Sequence, residues 1–250
     1  MRAILWCVQV IMPRNIYYNM AGDYEIIDFG LKNYGEILDF QTRLFNNLVI
    51  NKKEGRPEKE YILLGEHTPV ITLGRRAKED NILATSEILK SRGIEIFHIG
   101  RGGDVTYHCP SQLIVYPILD LELHSLGVKS YIHVLEETII RLLNHYGIKG
   151  ERVDGATGVW IDKGTIEERK ICAIGVKCSR FCTMHGLALN VNSDLRGFSM
   201  INPCGFQNKG VTSIEKEIGK KVDMDKVKER FLHIFLGLIF SFEEILDLPE

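Results

Sequence analysis

Residues 170–191 read KICAIGVKCSRFCTMHGLALNV, and this stretch decides the fold class. Two apolar, aliphatic runs lie in it, KICAIGV at 170–176 and GLALNV at 186–191, each of strand length and composition. The residues between them are too few for the crossover of a dozen or more that joins parallel neighbours, so the pair predicts an antiparallel hairpin. A short turn likewise joins YILLG at 61–65 to VITLG at 70–74. Further strand-like runs are IEIFHI at 94–99, QLIVYPIL at 112–119 and TGVWID at 157–162.

Helices are interspersed with these strands. Asn33-x-x-Glu36 has the pattern of a capping box, and Ile37, Leu38, Leu44, Phe45, Leu48 and Val49 follow at helical spacing. A second helix is predicted from Ser130, with Val134, Leu135, Ile139, Leu142, Leu143 and Tyr146 on one side and a stop at Gly147. Thr212-x-x-Glu215 marks a short one ending near Gly219, Asp225 to about Leu246 another, and Ser86 to Ser91 a turn or two before Gly93. NKKEGRPEKE at 51–60 reads as a loop. The expected fold is α/β in the α+β sense: a mixed, largely antiparallel sheet flanked by helices, not a doubly wound parallel one. With no repeat or linker, residues 1–250 form one expected domain, with 1–22 as a loosely attached extension.

The 250 residues are 45% hydrophobic and 26% charged, enough to bury a sizeable core. Lys plus Arg total 31 against 33 for Asp plus Glu, a net charge of −2, so no positive field holds nucleic acid or an anionic membrane. Six irregularly spaced cysteines do not make a disulfide framework and fit reduced thiols in a cytoplasmic protein. MRAILWCVQVIM at the N-terminus lacks a cleavage site of small residues, and FLHIFLGLIF at 231–240 is too short to span a bilayer.

Several residues invite chemistry. Strand alternation predicts Lys170 on one face with Cys172, Ile174 and Val176. An amine on an apolar face is a means of obtaining a poised proton carrier, although an edge lysine closing a hairpin after DKGTIEER is the commoner explanation. Cys204 stands between Pro203 and Gly205, on a turn whose backbone N–H groups suit a thiolate or an oxyanion; an inert loop cysteine is the alternative. RGGDVTYH at 101–108 lets the backbone approach a ligand, yet it has neither nucleotide-phosphate nor dinucleotide spacing and reads equally as a hairpin turn. His185 could donate to a substrate carbonyl or satisfy a neighbour. Cys172, Cys178, Cys182 and His185 lack the tight spacing of zinc ligands, so no metal site is expected.

RGGDVTYH, QLIVYPILDL, TGVW, KICAIGV, HGLALNV and INPCGF…GVTS occur together in an order and spacing that resembles the lipoyl(octanoyl) transferases, over about Ile26 to Gly219. The resemblance implies the fold of the biotin and lipoate ligase catalytic domain and no cofactor. It implies that Cys204 attacks the thioester of an octanoyl group on acyl carrier protein. The acyl-enzyme then meets a lysine of a lipoyl domain, in a 2-oxoacid dehydrogenase complex or the glycine cleavage carrier protein. Lys170 would lower the thiol's pKa and move protons between the half-reactions. The substrate would lie against Arg101, Gly102, Gly103, Asp104, Val105, Thr106, Tyr107 and His108, against Ala173, Ile174 and Gly175, and against His185, Gly186, Leu187 and Ala188.

One departure stands out: the family usually has H-G-P-G-Q where this chain has His108-Cys109-Pro110-Ser111-Gln112. If those positions need positive φ the substitutions strain the loop, and if they line the acyl tunnel they narrow it. Cys109 could also be a second reactive thiol, though a buried inert one is the plainer expectation. The competing readings are an ATP-dependent lipoate ligase, which shares the fold but uses no cysteine nucleophile, and a non-catalytic lipid-binding or zinc-stabilised relative.

Overall fold

The computed structural model of the chain describes residues 17–19, 24–57, 59–202 and 210–240. Its strands are β1 (Tyr17–Asn19), β2 (Tyr24–Lys32), β3 (Glu60–His67), β4 (Val70–Leu73), β5 (Glu95–His98), β6 (Val105–His108), β7 (Gln112–Ile118), β8 (Glu151–Val153), β9 (Ala156–Ile161), β10 (Arg169–Ser179), β11 (Cys182–Asn190) and β12 (Gly210–Val211). The helices are α1 (Tyr34–Glu54), α2 (Ser86–Ser91), α3 (Val128–His145), α4 (Ile214–Ile218) and α5 (Met224–Phe240).

The predicted hairpin is β10–β11, antiparallel from Cys172↔Leu189 to Ser179↔Cys182. It sits inside a nine-stranded sheet ordered β1-β2-β3-β7-β11-β10-β9-β8, with β12 alongside β10. Among the described residues only β2/β3 and β10/β12 pair in parallel there; a smaller sheet, β5-β4-β6, has one parallel and one antiparallel pair. Every residue of β7 and β11 is buried, as expected of strands covered on both faces. One face carries α3 and α5 over the main core, where Leu135, Ile139, Leu142, Leu143, Phe231 and Phe235 are fully buried. The other carries α1, through Ile37, Phe45 and Leu48. Each such apolar side chain contributes roughly 1.5–3 kcal/mol by leaving water.

Local signals explain most boundaries. The Asn33 side chain accepts from the Gly35 N–H at 2.8 Å to start α1, and Gly55 at φ +64° ends it. Asn51–Glu54 complete the last turn of that helix, so the predicted loop begins only at Gly55. Helix α3 starts two residues ahead of Ser130. Helix α4 is capped by Ser213, which accepts from the Lys216 N–H at 3.2 Å, because Thr212 is buried with its hydroxyl on Glu217. The predicted end of α5 beyond Phe240 lies outside the described residues. Of the expected extension, Tyr17–Asn19 pair with β2 as an edge strand, and the rest lies outside the described residues. Among the described residues no helix is long and apolar enough to cross a membrane.

The expected alternation of β10 fails at its start. The register slips between Lys170 and Cys172, so one extra residue enters the strand there. Ile171 and Cys172 both end fully buried in the core that also holds Ile174. Lys170 therefore leaves the face it was expected to share with Cys172, Ile174 and Val176, because a bulge reverses the order of sides.

Candidate active site

A cavity of about 460 Å³ follows β10 and β11 and is roofed by the loop at 99–104. That loop is held tightly. Gly102 donates to the Val176 carbonyl at 2.8 Å, and Arg75 and Arg76 donate to the carbonyls of Arg101 and Gly103 at 3.0 and 3.1 Å. The Arg101 guanidinium is buried and donates to the Thr72 carbonyl at 2.8 Å, the Thr72 hydroxyl at 2.9 Å and the Gly102 carbonyl at 3.0 Å. A Cβ on Gly175 would stand 2.7 Å from the Gly102 carbonyl oxygen, so glycine is what lets loop and strand approach.

At one end of the cavity, Lys170 Nζ donates to the Thr157 carbonyl at 3.1 Å and lies 4.5 Å from the centre of the Trp160 ring. The bulge places it there, and at Gly158, φ +122°, a Cβ would stand 2.5 Å from the Cys172 carbonyl oxygen, so glycine lets β9 and β10 meet beside it. Val211 of β12 is the parallel partner of Lys170, and Thr212 donates to the Lys170 carbonyl at 3.0 Å. Cys204 lies outside the described residues, which leave off at Asn202 and resume at Gly210, the β12 partner of Arg169.

Aromatic rings and imidazoles form the other end. His67 Nδ1 donates to the Lys32 carbonyl at 3.1 Å, which leaves Nε2 to accept from the Tyr116 hydroxyl at 2.9 Å. Gln112 Nε2 donates to Asn190 Oδ1 at 2.8 Å and to the Tyr107 carbonyl at 3.3 Å. Its Oε1 must then accept from His108 Nδ1 at 2.8 Å, so His108 Nε2 carries a lone pair. Tyr34 stacks on His108 at 6.0 Å, and Tyr116 meets His185 edge-on at 6.4 Å. His185 is strained at φ +59° within its strand, with its N–H held by Gln41 Oε1 at 3.1 Å. Burial pulls His67 down to about 4, against the Lys32 hydrogen bond. It pulls His108 to about 3, with His67 adding to the effect, and His185 to about 3, with Arg101 and Lys177 adding. All three imidazoles are neutral at pH 7.

The expected site residues thus converge, with two exceptions. Lys170, Arg101 to Thr106, His108, Ala173 to Gly175 and His185 to Ala188 line the cavity. Tyr107 does not: it alternates to the far side of β6 and packs edge-on against Phe198 at 5.6 Å. Cys204 is the second exception, being outside the described residues. Sequence reasoning missed Tyr34, Gln112, Tyr116, Trp160 and Asn190, which reach the cavity from α1, β7, β9 and β11. All but Tyr34 had a signal, since Gln112 and Tyr116 lie in QLIVYPILDL, Trp160 in TGVW and Asn190 in HGLALNV.

The departure at 109–111 has its answer. Ser111 is in the left-handed region at φ +64°, where its N–H donates to the Glu66 carboxylate at 2.6 Å. Its carbonyl accepts from the Asn192 N–H at 3.0 Å and the Ser193 hydroxyl at 3.1 Å. Neither Ser111 nor Cys109 lines the cavity, so neither narrows it. Cys109 is buried beneath the smaller sheet, and burial pushes its thiol up to about 12. Cys172 and Cys178 belong to the core on one face of the large sheet and Cys182 to the core on the other. Among the described residues no group of His, Cys, Asp or Glu could hold a metal ion.

The profile of the lipoyl protein ligase A/B catalytic domain matches residues 33–236. An octanoyltransferase of Parabacteroides distasonis is 51% identical over 212 residues, which is 84% of this chain and 96% of that protein. One from Bacteroides thetaiotaomicron is 51% identical over 216 residues, 86% of this chain and 95% of that protein. Among solved structures, a bipartite lipoate protein ligase from Thermoplasma acidophilum superposes with a TM-score of 0.61 at 15% identity, over 83% of this chain and 82% of that one, a likeness of fold. The chain belongs to the lipoyl protein ligase A/B catalytic domain family, with the octanoyltransferases among its members.

Proposed function

We propose that this chain, as one catalytic domain, transfers an octanoyl or lipoyl group from acyl carrier protein to a lysine of a lipoyl domain by way of a thioester on Cys204. The observation that carries the reading is the position of Lys170, an amine delivered by a bulge to one end of a cavity whose other end is neutral. The segment containing Cys204 rejoins the described fold at Gly210, at the start of β12, which pairs with the end of β10 that carries Lys170. An ordinary thiol, of pKa near 8.5, is only a few per cent thiolate at pH 7, and a cationic amine beside it raises that fraction.

In the first half-reaction the Cys204 thiolate attacks the carbonyl carbon of the donor thioester, and the carrier's sulfur leaves with a proton from Lys170. In the second, the acceptor lysine attacks the acyl-enzyme, and Lys170 takes the proton that the new amide releases as Cys204 departs. One thioester is exchanged for another and then for an amide, so the reaction balances without ATP. The backbones of the 101–108 loop and of β10 and β11 would hold the acyl chain between these ends. A thiol that must stay free suits the cytoplasm. The acceptors we expect are the lipoyl domains of 2-oxoacid dehydrogenase complexes and the glycine cleavage carrier protein.

The test is incubation with octanoyl acyl carrier protein, without nucleotide, followed by peptide mass analysis. An octanoyl adduct on the peptide containing Cys204, absent from Cys204→Ala, is the expected result. An adduct on another cysteine, or transfer that requires ATP and Mg²⁺, would overturn it.

A further inference from the structure

We propose that the inner end of the cavity is a hydrogen-bonding subsite for an acyl chain that carries a hydroxyl near its distal carbon, with His185 and Tyr34 as the residues that read it. The inference rests on the octanoyl-transfer reading, in that the thioester is placed at Lys170. His185 is the partner of Val176 on β11, six positions along β10 from Lys170, which is roughly 20 Å of strand at about 3.3 Å per residue. Both residues line the cavity, so a chain anchored at the lysine presents its tail, not its carbonyl, to the imidazole.

His67, Tyr116 and Gln112 have partners within the protein. Three groups lining the same cavity do not. His185 is 3% exposed and Tyr34 1%, and where they open onto the cavity no hydrogen-bond partner among the described residues reaches the ring nitrogens of the one or the hydroxyl of the other. The lone pair of His108 Nε2 is likewise left over once Nδ1 has donated to Gln112. The unpartnered groups comprise an O–H, an imidazole with one N–H and one lone pair, and a second lone pair. A hydroxyl, which donates once and accepts twice, complements that set. A carboxylate or ammonium would meet no opposite charge on these three groups. The backbone of His185 is kept in an unfavourable conformation, pinned by buried Gln41, which aims the ring at the cavity instead of letting it relax into the sheet.

The experiment measures Kd by calorimetry for N-methyloctanamide and N-methyl-8-hydroxyoctanamide, which bind but are not transferred. The intact protein should take the hydroxylated chain within about threefold of the plain one. In His185→Phe the ratio should shift against the hydroxylated chain by roughly five- to tenfold, the size of one lost hydrogen bond to a buried group. Tyr34→Phe, which removes one atom and leaves the packing, should shift it in the same direction, and it decides the matter if His185→Phe does not fold. An unchanged ratio, or failure of the intact protein to bind either amide, would overturn the subsite. Because the amides report binding alone, loss of octanoyl transfer in the earlier assay would count against the catalytic reading and not against this one.

Discussion

Lowering the pH from 7.5 to 5.5 should remove about 4 kcal/mol of folding stability, through three imidazoles. His67, His108 and His185 are buried, with folded pKa values of about 4, 3 and 3. Their unfolded value is about 6.5. Because the folded values lie below the unfolded one, it is the unfolded chain that binds the extra proton in the window between them. Their stabilising effect is therefore complete above about pH 6.5 and is lost as the pH falls through that value toward 4. At pH 5.5 an unfolded imidazole is about nine-tenths protonated, which lowers the unfolded state by ~1.4 kcal/mol for each histidine. Against a total of roughly 5–15 kcal/mol the combined loss is large. Urea unfolding at both pH values and constant ionic strength measures it, since an unchanged slope makes the midpoint a measure of stability. His67→Gln isolates one contribution: it should be less stable at pH 7.5, having lost its bonds to Lys32 and Tyr116, but its pH dependence should shrink by ~1.4 kcal/mol. A loss below about 1 kcal/mol in the intact protein, or the same dependence in the variant, would mean that these rings titrate as hydrated groups and that the inner wall is not neutral.

Two further outcomes are expected. Gly175→Ala should cost roughly 1–3 kcal/mol in urea unfolding, because its Cβ would press on the Gly102 carbonyl and the loop has no slack; a neutral effect would show that loop and strand are not in contact. Cys109 should resist iodoacetamide at pH 8 in the folded protein and react once urea is added, since burial both hides its thiol and holds it protonated; rapid native labelling at Cys109 would contradict its placement.

Much of the fold was legible because its signals are local. Asn33, Gly55, Gly147 and Gly219 stop or start helices by their own hydrogen bonds and φ angles, whatever lies across the sheet. The short connection between KICAIGV and GLALNV could only return the chain antiparallel. The cavity-lining motifs were also visible, because close backbone approach demands glycine at fixed points. Where the reading failed, a distant partner decided. Thr212 forfeits its cap to Ser213 because Asn190 and Glu217 claim it. Tyr107 turns away because strand β6 alternates beneath a helical turn at 195–200 that no local pattern placed there.

By itself the sequence determined the strand and helix order, the antiparallel character of the sheet, and the set of backbone stretches able to approach a ligand, since these follow from period, caps and chain length. Only the tertiary structure decided which way Lys170 points and what it faces. A single extra residue in β10 reverses the side of every residue before it, and that slip is set by the pairing of β9 with β10, not by any property of Lys170 itself.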